Sequence, residues 1–217
     1  MSDGMTGVNI KQAIADLDNF REEGETIITK LAHASVDFDE GIDNNWASPK
    51  EVEFARAFSF KIVDVSIAPK KAFDSIVNEA AMAVEAMAEA NGAGFNSMSY
   101  FPMPYTMYYG AGRFTDVVEV SPDGQTGMNI EAVKALLETF TATVREGLVA
   151  MESLPTTIAL YDPAGELKAA YAEKISKAIS EVNEIVNEIT KAITEAIATE
   201  QESVITGVTT ALDELGG

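Results

Sequence analysis

The sequence predicts an all-α fold of two long helical hairpins in tandem, packed like a four-helix coiled coil. Three observations carry that prediction. Apolar residues recur at steps of three, four and seven over four separate stretches. The last of these keeps a seam of alternating four- and three-residue steps, the mark of coiled-coil packing. Corners containing proline and an aromatic residue separate the stretches within each half.

The first helix is predicted from Val8 to about Phe38–Glu40, with Ile10, Ile14, Leu17, Ile28 and Leu31 on one face and Ala13 and Ile27 widening it. The second begins at Pro49 and carries Phe54, Phe58, Ile62, Val65, Phe73, Ile76, Ala80, Val84 and Met87. Pro69 falls on this stripe, which predicts a kink or short break near Ala68. Asn91-Gly92 suits the end of that helix. The third helix runs from Asn129 to Ser153 through Ile130, Val133, Leu137, Phe140, Val144, Leu148 and Met151. The fourth starts after Pro163, has its seam at Ile175, Ile179, Val182, Val186, Ile189 and Ile193, and is expected to reach about residue 213. Glu200 lands on that seam, and Gly207 weakens the helical pattern beyond it.

The helices look duplicated. "VNIKQAIADLDNF" (8–20) and "MNIEAVKALLETF" (128–140) share Asn-Ile, a Leu and a Phe at one constant offset. Each half then continues through a corner, one with Trp46 and Pro49 and the other with Tyr161 and Pro163. The expected organisation is a hairpin over 1–92, a connecting segment over 93–127 and a second hairpin over 128–217.

The connecting segment follows neither pattern. "FNSMSYFPMPYTMYYGAGRF" holds seven aromatics, three methionines and two prolines, and "TDVVEV-SPDG-QTG" reads as a short strand entering a turn, so a small β-hairpin fits within 115–127. Three readings compete for the aromatic stretch. It is a linker packed across the ends of the helices, an exposed patch for a partner, or a membrane-inserting tip without basic flanks.

Composition narrows the function. Thirty-five acidic residues against fifteen basic ones give a net charge of −20, the wrong sign for nucleic acid or anionic lipid. Cysteine is absent, which excludes disulfides, thiol catalysis and Cys-bound zinc. Met1 to Asp16 has neither a basic nor an apolar leader pattern, so no cleaved signal peptide is expected, and no apolar run is long enough for a membrane span. The one histidine, His33, lies on a helix, and neither Ser48 nor Ser59 sits in a nucleophile elbow. "DFDEGIDNN" gathers Asp37, Asp39, Glu40 and Asp43 but has Gly41 where a calcium loop needs a ligand and Ile42 where it needs glycine. It reads as a solvated cap leading into the corner. Gly110-Ala111-Gly112 follows no strand and opens no helix, so it is no phosphate loop. No catalytic residue, metal ligand or cofactor is expected.

"NNWASPKEVEF" is a complete helix–corner–helix device. Trp46, the only tryptophan, can close the gap where two helices diverge and still donate its N–H. Ile42 and Val52 are expected beside it. Ser48 can cap the next helix, Pro49 suits its first position, and Glu51 completes a Ser-x-x-Glu capping box.

At these residues the chain resembles the WXG proteins, the small helical-hairpin substrates of type VII secretion. "NWASPKEVEFARAF" and "AMAVEAMAEANG" carry the likeness over residues 8–92, and it extends to 128–215 only through the duplication. Ser48 stands where the family has glycine, and Tyr161 where a second tryptophan would fall. The family's Tyr-x-x-x-Asp/Glu export signal is not matched: Ile175 lies four residues after Tyr171, and Gly165 four after Tyr161. The resemblance implies export without a cleaved signal, from the cytoplasm, with a partner that carries the signal.

Two functions are therefore expected. The first is a non-enzymatic, secretion-coupled protein that pairs with a protein partner or itself through apolar helix faces. The other is a structural subunit of a virion, phage tail or surface filament. Candidate contact residues are Tyr105, Met107 and Tyr108 in the connecting segment and Val182 on the seam.

Overall fold

The structure, a computed structural model, describes residues 9–100, 127–154 and 165–216, with side chains up to Thr210 in the last stretch. The fold is all-α. Four helices dominate: α1 (Ile10–Asn45), α2 (Pro49–Ala90), α3 (Ile130–Ser153) and α4 (Glu166–Gly216). Between them lie a 3-10 turn at Ser97–Tyr100 and a two-stranded antiparallel ladder of β1 (Trp46–Ala47) and β2 (Gly127–Met128).

The similar sequences at the start of α1 and α3 prove to be the same cap. Asn9 Oδ1 accepts from Gln12 N at 3.2 Å and its carbonyl from Ala13 N at 2.9 Å. Asn129 repeats both bonds, from Ala132 N at 3.3 Å and Val133 N at 2.9 Å. An Asn side chain here satisfies an amide that the first helical turn would leave bare. At its far end α2 closes as expected. Gly92 adopts φ 66°, Ala93 N donates to Ala88 O at 2.8 Å and Gly92 N to Glu89 O at 3.0 Å, the paired bonds of a Schellman ending.

Two expectations need correction. The helix α1 does not stop near residue 40 but continues to Asn45. Phe38 and Ile42, one turn apart and both buried, extend the apolar stripe, so the acidic cluster lies within a helix rather than forming a cap. Of the kink or break expected near Ala68, the break is absent, for α2 runs on through Pro69. The ring removes the bond to Val65 O, a cost of about 3 kcal/mol in an ordinary helix interior. Burial of Val65, Phe73 and Ile76 around it offsets that, at about 1.5–3 kcal/mol for each side chain.

The chain divides into two compact units, one drawn from Met1–Leu31, Ser66–Met107 and Arg145–Glu181, the other from Ala32–Val65, Tyr108–Val144 and Val182–Gly217. Each takes a segment of all four helices, a partition different from the halves 1–92 and 128–217.

The first unit is built around Phe20, Phe73, Met151 and Tyr171. Phe20 lies 4.9 Å from Phe73 and meets Tyr171 edge-on at 5.8 Å, joining α1, α2 and α4. Gly24 lets α1 pass the Phe73 ring, for a Cβ there would stand 2.1 Å from Phe73 Cζ. The Tyr171 hydroxyl donates to Met151 O, and burial pushes its pKa well above the usual tyrosine value. The second unit stacks Phe38 on Phe140 at 4.4 Å, joining α1 to α3, and the Lys61–Glu188 ion pair joins α2 to α4.

Candidate functional site

The corner at Trp46 belongs to the second unit and is the most fully built polar site there. Trp46 is 2% exposed, with its ring 5.7 Å from Phe54, which in turn stacks on Phe58 at 5.0 Å. The indole Nε1 donates to Ser48 Oγ at 2.8 Å and lies 3.3 Å from Glu200 Oε1. Ser48 Oγ donates to the same carboxylate oxygen at 2.9 Å. One charged acceptor thus draws together two neutral donors, an arrangement stronger than neutral pairing. This is why an acidic residue sits on the α4 seam: its partners are the only indole and a buried serine.

The backbone finishes the corner. Trp46 pairs with Met128 and Ala47 with Gly127, and Asn129 N donates to Asn45 O at 2.8 Å. Gly127 takes φ 122°, a conformation that L side chains rarely adopt. The start of α3 is therefore tied directly to the corner.

Ser48 stands immediately before α2, where the cap is expected. Its hydroxyl serves Trp46 and Glu200, while its carbonyl accepts from Glu51 N at 3.1 Å and opens α2. Pro49 is exposed at the first helical position, and Glu51 is buried.

No protein-family model, curated protein or solved structure matches the chain.

The other sequence-derived candidates lie elsewhere. Tyr105, Met107, Tyr108, Tyr161 and Pro163 fall outside the described residues, as does the expected β-hairpin up to residue 126. Val182 is 0% exposed, so its side chain is committed to the chain's own core and presents no contact surface. Only the beginning of the aromatic segment is described, in the first unit. Glu85 accepts from Ser97 N at 3.3 Å and Ser97 Oγ at 2.6 Å, holding the 3-10 turn on α2. Tyr100 OH donates to Asp18 Oδ1 at 2.6 Å, and burial, then that bond, push its pKa up to about 12. Phe95 stands 5.5 Å from Tyr100, whereas Met98 faces solvent. Phe95, Ser97 and Tyr100 are thus anchored on the first unit, while the rest of the aromatic stretch lies outside the described residues.

Polar clusters outside the corner have structural chemistry. Lys174 Nζ donates to Ser75 Oγ at 2.8 Å and pairs with Glu79 in the first unit. His33 is exposed on α1. Asp39 is pushed up to about 6 by burial, with smaller contributions from Asp43 and Glu40. Among the described residues, no group of three or more His, Asp or Glu could hold a metal ion. No described helix is long and apolar enough to cross a membrane.

Proposed function

We propose that this chain is a non-enzymatic helical protein that pairs with a protein partner through apolar helix faces, in a secretion-coupled role like that of the WXG proteins. The observation that supports the reading is the corner itself. Trp46, Ser48 and Glu200 satisfy one another, so the Trp-x-Ser-Pro stretch is spent on closing a turn between helices of 36 and 42 residues. Recognition is left to the helix faces, where Phe60, Met82 and Val149 keep large apolar areas in water.

Co-expression with products of neighbouring genes, followed by sizing, tests the pairing; a stable complex of defined stoichiometry is expected. Expression in a Gram-positive host with a type VII system tests the export. The protein should reach the medium, and deleting the system's ATPase should abolish that. Equal release without the ATPase sinks the secretion-coupled role. Assembly of the purified chain alone into long homopolymers would replace it with the structural-subunit reading.

A further inference from the structure

The end of α4 contradicts the rest of that helix. Val182, Ile189, Ile193 and Ile197 are buried, but from Gln201 to Thr210 every side chain is exposed. Val204, Ile205 and Val208 are 64%, 66% and 55% exposed. Val204 and Val208 are one turn apart and Ile205 is adjacent, so the three form a single apolar face.

Two physical features say that this face is meant to be covered. Ser203-Val204-Ile205-Thr206-Gly207-Val208-Thr209-Thr210 is made of poor helix formers, six of its seven non-glycine residues being β-branched. A helix end made of such residues frays in water unless one face packs against something. The charges then say what kind of surface packs there. After Lys191, which pairs with Glu195, the sequence has no basic residue, while Glu202 lies beside the face and Asp213 and Glu214 follow it. A second copy would bring acid against acid in a chain whose net charge is −20.

We propose that Val204, Ile205 and Val208 are the docking face for an amphipathic basic helix of another protein, whose apolar stripe covers the three side chains and whose Lys or Arg flanks lie near Glu202. This rests on the pairing reading above and gives it a site and a partner chemistry. Apolar contact would supply the stickiness and the acidic flank the choice of partner.

The test uses the full chain and a synthetic peptide of about three heptads, with Leu on one face and Lys on its flanks. Two controls accompany it: the same composition scrambled so that no apolar face forms, and the amphipathic peptide with Glu for Lys. Fluorescence anisotropy should show the amphipathic Lys peptide binding at least about tenfold tighter than either control. The triple variant Val204→Ser, Ile205→Ser, Val208→Ser should lose that advantage while keeping its melting temperature. Glu202→Lys should weaken the same peptide several-fold without disturbing the apolar face.

Binding that the triple variant leaves unchanged, or that the scrambled peptide matches, overturns the proposal as bulk charge attraction. A wild-type dimer that the triple variant converts to monomer also overturns it, because the occupant is then a second copy. If the triple variant still pairs fully with a neighbouring-gene product, this site falls and the pairing function stands. If neither form pairs with peptide or protein, both fall.

Discussion

Ile193 and Ile205 are the same residue type on the same helix, about three turns apart. Ile193 is 0% exposed and Ile205 is 66% exposed. The difference is not in the side chain but in what stands opposite it. Around Glu188 and Ile193 the Lys61 pair ties α4 to α2. At Glu200 the Trp46 indole and the Ser48 hydroxyl converge on a carboxylate that interrupts the apolar seam. Beyond it no side chain from Gln201 to Thr210 is buried. An apolar stripe thus does two jobs on one helix: before Glu200 it builds the core, and after it the stripe remains for something else.

The strongest way to break this contrast is at its dividing point. Trp46→Ala should cost about 3–5 kcal/mol of unfolding free energy, as other large buried truncations do, read by chemical denaturation. Unchanged stability together with lost partner binding would make Trp46 a recognition residue instead. Next comes the buried seam, where Ile193→Ala should cost about 2–5 kcal/mol.

A smaller effect sits at half-buried Asp39 on α1. Asp39 is pushed up to about 6 from 3.8, chiefly by burial. Between those values the folded protein binds more protons than the unfolded chain, so Asp39 makes stability fall as pH rises through that window. Asp39→Asn should remove this slope. Its gain in melting temperature over wild type should be present above about pH 6 and vanish toward pH 4. A gain of the same size at both ends would mean that titration is not its cause.

The smallest effect should come from the exposed face. Ile205→Ala should change stability by less than about 0.5 kcal/mol, toward the more stable side because alanine is the better helix former. A loss as large as that of Ile193→Ala would show that Ile205 is already packed in the isolated chain.

Much of the fold was legible because it is local. Asn9 and Asn129 announce their helices through caps, and Asn91-Gly92 closes α2 through its own backbone bonds. The stripes marked most of the buried residues, Leu17, Phe73 and Phe140 among them. Periodicity, however, says that a face exists without saying which helix will meet it, so the stacking of Phe38 on Phe140 could not be read from the sequence. The length of α1 could have been: Phe38 and Ile42 continue its stripe, but the acidic residues around them suggested an end. A two-residue ladder such as Trp46–Met128 leaves no periodic trace at all. At the corner, the misfit of Glu200 on an apolar seam was the visible signal, and its partner 154 residues away was not.

Hydrogen exchange along α4 reads the contrast most directly, residue by residue. In the isolated protein, amides of residues 182–197 should exchange slowly and those of 201–210 rapidly. Adding the amphipathic Lys peptide should slow exchange at 201–210 and leave 182–197 as they were. Strong protection of 201–210 in the isolated monomer, or no change there when the peptide is bound, would contradict the division of α4 into a core-forming part and a part held for a partner.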